Sequence, residues 1–196
     1  MIMSVRALGP HGITPVTVEV TFLRMDRPPA TPARPLPGDV RVEVAGRCTV
    51  PFYRYLYDNV GGEYLWWFRR TVPDSHLREI LASPAISIHV LYRDGEPAGF
   101  YELERRANHS INLAYFGLMP QAVGQGLGKA FLRHAVDTAW GEGCELLTVN
   151  TCTADHPRAL PNYIAAGFVP LRRVREEWPV PDSAGLSVPS WLRGRG

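Results

Sequence analysis

The sequence predicts a mixed α/β fold built on one central sheet whose first half is antiparallel and which carries helices on its faces. Three apolar segments joined by short turns, at residues 86–92, 98–103 and 111–119, predict consecutive antiparallel strands. A helical period over residues 127–140, followed by an apolar segment at 146–152, predicts a right-handed crossover between two parallel strands. The length of 196 residues and the hydrophobic content of 45% fit one domain.

The elements before this region are a strand, an extended loop, a second strand and an aromatic segment. Residues 14–25 alternate β-branched and polar side chains like a strand, and the five prolines in residues 27–39 predict an extended loop. Residues 40–44 alternate again, and we expect this strand to pair with the first. The aromatic segment 51–70 predicts two short helices, interrupted at Gly61-Gly62, that pack on the sheet.

Proline, glycine and aspartate mark the ends of the next elements. The sequence from Val72 to His76 predicts the start of a helix that Pro84 ends, and Asp94-Gly95 predicts the hairpin turn of the first antiparallel pair. Gly141 and Gly143 end the crossover helix.

The C-terminal part is predicted to hold one more helix and one more strand. Asp155-His156-Pro157 opens the helix, which we expect to be irregular at Pro161, and residues 168–174 form the strand. The tail from Pro179 is rich in proline, glycine and arginine, which predicts poor packing.

Composition and charge exclude several classes of function. The net charge of +2 is too small to indicate a nucleic-acid partner or binding to a membrane surface. No apolar stretch has the length of about 20 residues that a membrane helix needs, and the first twelve residues lack a signal-peptide core. The cysteines at 48, 144 and 152 have no metal-ligand spacing, so we expect free thiols in a reducing cytoplasm and no metal.

A turn with glycines at 124, 126 and 128 joins the strand at 111–119 to the crossover helix. The first amides of a helix have no intrahelical partner and carry the positive end of the helix dipole, so phosphate groups bind there. Glycine lets a ligand approach the backbone because it has no Cβ. The turn is therefore predicted to be an anion site.

The glycine spacing excludes two familiar phosphate loops. A dinucleotide fingerprint requires G-x-G-x-x-G, whereas this chain has G-x-G-x-G. A P-loop requires Ser or Thr after Gly-Lys, whereas Ala130 follows Gly128-Lys129 here, and Val123 stands at the position of the first glycine.

Three motifs together resemble the GNAT N-acetyltransferase superfamily, from about Val40 to Trp178. The strand end at 116–120, the loop core at 126–128 and a closing Ala-x-x-x-Tyr followed by Gly-Phe, at Ala159, Tyr163 and 167–168, have that family's order and spacing. The resemblance implies the acyl-CoA N-acyltransferase fold, with a sheet of about six to seven strands. Residues 1–39 are then an N-terminal strand with a proline-rich extension, residues 40–178 the acetyltransferase domain, and residues 179–196 a tail.

The resemblance implies that the two parallel strands splay apart at their ends and hold the pantetheine arm of acetyl-CoA between them. The backbone amide of Leu118 would polarise the thioester carbonyl, and Tyr163 would protonate the leaving thiolate. His156 stands near the position of an Asn that contacts CoA in relatives. The implied donor-binding residues are Phe116, Gly117, Leu118, Met119, Val123, Gly124, Gln125, Gly126, Leu127, Gly128, Lys129, His156 and Tyr163.

The sequence departs from the family pattern at two positions. Val123 replaces the usual Arg or Gln of the loop, which removes one side chain from the pyrophosphate site. Asn112 stands where many relatives carry a glutamate that serves as general base, and an amide cannot take a proton at neutral pH. The candidate bases that remain are Glu102, Glu104, Asp58, Asp155 and His156, although Asp155 is equally well placed to cap the following helix.

The resemblance implies direct transfer of acetyl from acetyl-CoA to a primary amine of a small molecule or peptide in a ternary complex. The alternatives are a non-catalytic acyl-CoA-binding module and a transferase that uses another acyl-CoA or an oxygen acceptor. The aromatic segment, with Asp58 and Glu63, favours a bulky or cationic acceptor, although any one ring could belong to the core. The candidate acceptor residues are Tyr57, Asp58, Trp67 and Glu102. A homodimer is left open.

Overall fold

The structure is a computed structural model that describes residues 12–31, 33, 35–189 and 192. Its strands are β1 (Ile13–Met25), β2 (Val40–Val44), β3 (Ile86–Arg93), β4 (Glu96–Arg106), β5 (Ser110–Leu118), β6 (Leu146–Cys152) and β7 (Val169–Pro181). Its α-helices are α1 (Val50–Gly61), α2 (Phe68–Thr71), α3 (Asp74–Ala82), α4 (Leu127–Gly141) and α5 (Ala159–Ala165). No helix in these described ranges combines the length and the apolar character that crossing a membrane requires.

The seven strands form one sheet in the order β2-β3-β4-β5-β6-β1-β7. The strands β2 to β5 pair antiparallel with their neighbours, and β5 pairs parallel with β6. The helix α4 connects this parallel pair. The predicted mixed sheet, with its antiparallel first half and one parallel pair, is therefore confirmed.

The position of β1 differs from the prediction. The strand β2 pairs with β3 and not with β1, so the expected pairing of the first two strands was wrong. Instead β1 lies between β6 and β7 and is antiparallel to both. Alternation along a strand shows which side chains face the core, but it carries no information about which strand lies alongside.

The last strand is longer than predicted. The strand β7 continues to Pro181, because residues 179–181 pair with residues 13–15 of β1. Prolines are tolerated there because β7 is an edge strand. Val180 and Ala184 are buried, so the expectation of poor packing was wrong for residues 179–184. Residues 1–11, 32, 34, 190–191 and 193–196 of the predicted N-terminal extension and tail lie outside the described residues. The division of the chain at residues 39 and 178 stays a prediction.

The helix after β6 begins at Ala159, four residues after Asp155. Pro161 therefore lies in the first turn of α5, where its missing N–H group costs no intrahelical hydrogen bond. The expected irregularity at Pro161 depended on the earlier start.

Helices cover both faces of the sheet. The helices α1 and α3 pack on one face, with Tyr53, Leu56 and Leu77 in their core. The helix α4 packs on the other face, together with Tyr163 of α5. The contact between α1 and β5 is close, because a Cβ on Gly117 would overlap the side chain of Val60.

A β-bulge in β5 changes which side chains face each layer. Tyr115 lies opposite Glu102 and Leu113 lies opposite Leu103, so Ala114 has no partner on β4. Before the bulge Leu113 belongs to the α4 core, and after it Phe116 packs against the same core. Tyr115 consequently faces the α1 side.

Candidate active site

The two parallel strands diverge at the bulge. The last pair of β5 and β6 is Leu113 with Val149. Beyond it β5 remains paired with β4 up to Leu118, whereas β6 remains paired with β1 up to Cys152. A cleft therefore opens between the ends of the two strands, as the resemblance implied.

Two backbone amides of β5 point into this cleft. The N–H of Met119 donates to the carbonyl of Ala98 at 2.9 Å, which directs it toward β4. Because successive amides of a strand point to opposite edges, Gly117 also faces β4, and the amides of Phe116 and Leu118 face the cleft. The cleft thus offers donors spaced along its wall.

One cavity of about 940 Å³ joins the cleft to the turn before α4 and to a chamber beneath α1 and α2. We call this part the aromatic chamber, because its walls carry the rings of Tyr57, Trp66, Trp67, Phe68, Tyr115 and Trp178. Most of the residues expected to bind the donor line it: Phe116, Gly117, Leu118, Val123, Gly124, Gly126, Gly128, Lys129, His156 and Tyr163. Tyr57 and Trp67, expected at the acceptor, line it as well. Most of the residues expected from the sequence therefore line one continuous cavity, and their roles stay predictions.

Three of the residues expected at the donor site do not line the cavity. Met119 is buried in the core under α1, and Leu127 is buried in the core under α4. The side chain of Gln125 is exposed and contacts Arg93 and the carbonyl of Gln121. Each lies beside a residue that does line the cavity, because side chains alternate around the turn and strand.

The turn before α4 presents free amides but fewer than expected. Gly126 caps the helix with φ of +79°, a left-handed conformation that favours glycine, and no side chain caps this end. The amides of residues 127–129 form the first turn and have no intrahelical partner. The N–H of Val123 is already used, because it donates to the carbonyl of Pro120 at 3.3 Å. An anion at this end would therefore meet the amides that follow Val123.

Tyr163 lies on α5 where the cleft meets the α4 layer. Its side chain is 7% exposed and its ring contacts those of Phe116 and Phe168. Burial, and then the nearby charge of Asp155, raise the pKa of this phenol well above its usual value. Tyr163 is therefore protonated at neutral pH.

Asp155 connects the end of β6 to the loop between α1 and α2. Its Oδ2 accepts hydrogen bonds from the Thr151 hydroxyl at 2.8 Å and from the backbone N–H of Cys152 at 2.9 Å. Its Oδ1 accepts a hydrogen bond from the Trp66 indole at 3.3 Å. Since α5 begins at Ala159, Asp155 is not the helix cap that the sequence allowed. It lines the cavity instead.

The other candidate bases differ in their access to the cavity. Glu104 lines it, pairs with Asn112 across the strands, and has its Oε2 bound by Arg106. Glu102 is fully buried beneath Arg69, and it does not line the cavity. Asp58 also lies outside the lining and pairs with Arg70 at 3.0 Å.

Asn112 is a buried amide at the start of the diverging strands. Its Oδ1 accepts a hydrogen bond from the Thr148 hydroxyl at 2.9 Å. This contact links β5 to β6 where they are still paired. The side chain is thus committed to a hydrogen bond within the sheet.

His156 and Cys152 also line the cavity. The Nδ1 atom of His156 accepts a hydrogen bond from the backbone N–H of Arg158 at 3.0 Å, which leaves Nε2 to carry the proton of the neutral ring. Burial, and then Asp155, raise the pKa of the Cys152 thiol. Cys152 is therefore a thiol and not a thiolate nucleophile. The described residues contain no group of three or more His, Cys, Asp or Glu side chains that could hold a metal ion.

Sequence reasoning did not single out several residues of the aromatic chamber. Trp66, Phe68, Arg69, Tyr115 and Trp178 all line it. The density of rings in residues 51–70 was a visible signal for Trp66, but only the bulge in β5 directs Tyr115 to this face. Trp178 lies on β7, beyond the predicted end of the last strand.

Comparison with known proteins agrees with this geometry. The model of the acetyltransferase (GNAT) family matches residues 54–168. No curated protein sequence matches the chain. Similar solved structures include a GCN5-related N-acetyltransferase from Kribbella flavida, with a TM-score of 0.59 and 19% identity over 90% of this chain and 63% of that one.

Two further solved structures have the same fold. A GCN5-related N-acetyltransferase from Sphaerobacter thermophilus has a TM-score of 0.57 and 18% identity over 85% of this chain and 53% of that one. A tandem GNAT protein from the clavulanic acid biosynthesis pathway has a TM-score of 0.59 and 16% identity over 95% of this chain and 62% of that one. The chain thus spans between half and two thirds of the length of these proteins. The family match, the diverging strand pair and the glycine turn before α4 agree: the chain belongs to the GNAT acetyltransferase family.

Proposed function

We propose that the protein transfers an acetyl group from acetyl-CoA to a primary amine of a small molecule or peptide, by direct attack in a ternary complex. The observation that carries this proposal is the single cavity that joins the cleft between β5 and β6 to the N-terminus of α4 and to Tyr163. Each of these three parts meets a different part of the donor.

The turn before α4 suits the pyrophosphate of the donor. The free amides from Gly124 to Lys129 and the positive end of the α4 dipole favour an anion there. A hydrogen bond to a charged group contributes about 1.5–3 kcal/mol, so a few amides can hold the pyrophosphate without the side chain that Val123 lacks. The amides of Phe116 and Leu118 suit the pantetheine arm.

The same residues supply the chemistry of acyl transfer. The amide of Leu118 donates to the thioester carbonyl and stabilises the oxyanion that forms when the amine attacks. Tyr163 gives its proton to the leaving thiolate, and its raised pKa keeps the phenol protonated at neutral pH until the thiolate forms. The raised pKa of Cys152 argues against an acyl-cysteine intermediate and for direct attack. The free thiols in the described residues fit a reducing cytoplasm, where we place the protein.

The test has two stages. Acetyl-CoA at saturating concentration should raise the Tm by several degrees, because it binds only the folded chain. CoA release in the presence of a panel of primary amines should then show turnover. No Tm shift would refute the whole proposal.

The second stage separates the alternatives. A Tm shift without turnover for any amine, alcohol or longer acyl-CoA would support an acyl-CoA-binding module without catalysis. Turnover restricted to alcohols, or to a longer acyl-CoA, would support a transferase with that acceptor or donor.

A further inference from the structure

We infer that Asp155 binds the ammonium group of the acceptor and takes its proton, and that the acceptor is a primary amine with an aromatic or similarly flat apolar body. This inference rests on the proposed function and goes beyond it, because it names the base and the class of acceptor.

Asp155 lies where the two halves of the cavity meet. It follows the end of β6, on the side of the cleft where β5 and β6 have already diverged. Its charge acts on Tyr163 from the donor side and on Tyr64 from the acceptor side. A nitrogen bound at this carboxylate would lie in the same cavity as the group that would protonate the leaving thiolate.

The carboxylate of Asp155 is held firmly and still has room for a ligand. Thr151, Cys152 and Trp66 donate three hydrogen bonds to it. An ionised carboxylate accepts about four, so one acceptor position remains. Within the described ranges no Lys, Arg or His side chain forms an ion pair with Asp155. The position suits a cation supplied by a ligand.

Glu104 is the other carboxylate that lines the cavity, and its setting differs. Its Oε2 already accepts two hydrogen bonds from Arg106. It lies opposite Asn112, where β5 and β6 are still paired and the cleft has not opened. Glu104 therefore already has a cationic partner, and it lies opposite Asn112, six residues along β5 from Leu118.

The chamber beyond Asp155 is walled by aromatic rings. Its lining includes Tyr57, Trp66, Trp67, Phe68, Tyr115 and Trp178. The guanidinium of Arg69 also lines it, but Glu102 pairs with this charge at 2.7 Å. Flat apolar groups pack well on such rings, and an ammonium is favoured beside aromatic faces. The chamber therefore suits an aromatic body attached to the ammonium that Asp155 binds.

The transfer balances with these residues alone. The ammonium gives one proton to the Asp155 carboxylate, and the neutral nitrogen forms a bond to the thioester carbon. The C–S bond breaks, and Tyr163 gives its proton to the thiolate. The nitrogen loses its second proton, which restores Tyr163, and Asp155 releases its proton to solvent. The products are the amide, CoA and one proton.

The titratable groups that face Asp155 do not compete for this role. They are Tyr64 from the loop between α1 and α2, Cys152 from β6 and Tyr163 from α5. The Nδ1 lone pair of His156, which is adjacent in the chain, is already used by the N–H of Arg158. Burial is the largest cause of the raised pKa of Tyr64, Cys152 and Tyr163, so all three are protonated at neutral pH. None of these three is a base under those conditions.

The first experiment compares Asp155→Asn with the wild type, using 2-phenylethylamine and ethanolamine as acceptors. We expect the wild type to show at least a 10-fold higher kcat/KM for 2-phenylethylamine. Asp155→Asn should lower kcat/KM about 100-fold at pH 7, which is the usual range for a lost general base. This loss should shrink as the pH approaches 10, where the amine is deprotonated without help.

Controls separate a chemical role from a structural one. Asp137→Asn, on the outer part of α4 and paired with Arg133, should leave kcat/KM unchanged. The Tm shift with acetyl-CoA should be the same in Asp155→Asn as in the wild type. If Asp155→Asn does not fold, Thr151→Val removes one hydrogen bond to the ionised carboxylate and should move the acid limb of the kcat/KM profile to higher pH.

Two results would overturn the inference while the proposed function stands. One is a pH-dependent loss in Glu104→Gln with none in Asp155→Asn, which would identify Glu104 as the base. The other is an equal kcat/KM for 2-phenylethylamine and ethanolamine, which would contradict the inferred preference for amines with an aromatic body. A missing Tm shift with acetyl-CoA would instead refute the proposed function itself.

Discussion

Arg69 donates a hydrogen bond from Nη2 to Oε1 of Glu102 at 2.7 Å, and their side chains are only 11% and 0% exposed. The Tyr53 hydroxyl donates to the other oxygen of Glu102 at 2.6 Å. This network links α1 and the start of α2 to β4. It fixes one wall of the aromatic chamber, because Arg69 lines the cavity while Glu102 lies beneath it.

Removing Glu102 should be strongly destabilising. Glu102→Ala leaves the buried charge of Arg69 without its partner, and we expect the free energy of unfolding to fall by about 3–5 kcal/mol, measured by urea denaturation. Glu43→Ala, which breaks an exposed pair with Arg41, is the matched control and should cost less than about 1 kcal/mol. Equal losses in the two variants would contradict the role of the buried pair.

Tyr163→Phe should slow catalysis without weakening donor binding. The variant keeps the buried ring and removes the proton that we assign to the leaving thiolate, so kcat should fall about 100-fold. The Kd for acetyl-CoA should stay within about 3-fold, measured by calorimetry. Tyr101→Phe removes another buried hydroxyl, outside the cavity, that contacts His134 and Thr138, and its kcat should not change. Full activity in Tyr163→Phe would exclude the proton-donor role.

The free energy of unfolding should decrease as the pH is lowered, because His89 titrates. Burial, and then the charges of His134 and Arg105, lower the pKa of His89 to about 4 in the folded chain. The unfolded chain takes up this proton near pH 6.5, so stability is complete above pH 6.5 and is lost as the pH falls toward 4. The loss should reach about 3 kcal/mol.

The contribution of His89 can be isolated by difference. The free energy of unfolding of His89→Asn should depend less steeply on pH between 6.5 and 4 than that of the wild type. His76→Asn replaces an exposed histidine beside Glu79 and should leave the slope unchanged. Parallel curves for the wild type and His89→Asn would show that other groups carry the pH dependence.

Two glycines of the turn should respond differently to alanine. Gly126 has φ of +79°, so Gly126→Ala should cost about 1–2 kcal/mol of stability from backbone strain. Gly128 lies in the first turn of α4 without a positive φ, so Gly128→Ala should leave stability equal or raise it by up to about 1 kcal/mol.

Gly128→Ala should weaken the binding of acetyl-CoA, although it should not lower stability. The new methyl group would lie in the cavity near Leu118, where we propose that the pyrophosphate of acetyl-CoA approaches the backbone of the turn. The Kd for acetyl-CoA should therefore rise at least 10-fold. The measurement is calorimetric titration alongside thermal unfolding. Unchanged binding in Gly128→Ala would place the pyrophosphate elsewhere.

Most of the secondary structure could be predicted, because it depends on local features: the periodicity of apolar residues and the glycine, proline and aspartate residues that end helices and strands. The strand Leu146–Cys152 and the crossover helix follow directly from their apolar patterns. The position of β1 could not be predicted, since its alternation fits any antiparallel neighbour. The start of α5 was misplaced because Asp155-His156-Pro157 resembles a helix cap, whereas the carboxylate is used by Thr151 and Cys152.

The site was predictable where backbone geometry repeats across sequences and less so where it is irregular. The glycine turn was indicated by its spacing, and Tyr163 by the resemblance to the GNAT family. The bulge at Ala114 has no sequence signature, so the orientation of Tyr115 toward the aromatic chamber was not visible. The base was open because five candidates were compatible with the sequence. Only the fold separates Asp155, Glu104 and His156, which line the cavity, from Asp58 and Glu102, which do not.

The location of β1 has a consequence for how the chain acquires its structure during synthesis. β1 emerges from the ribosome before every other strand, yet both of its neighbours in the sheet, β6 and β7, emerge last. Until then β1 has two unpaired edges and an apolar face containing Val16, Val18 and Val20, a combination that promotes association between nascent chains. The sheet closes only when β6 and β7 reach β1, so we expect folding to be slow and of high contact order.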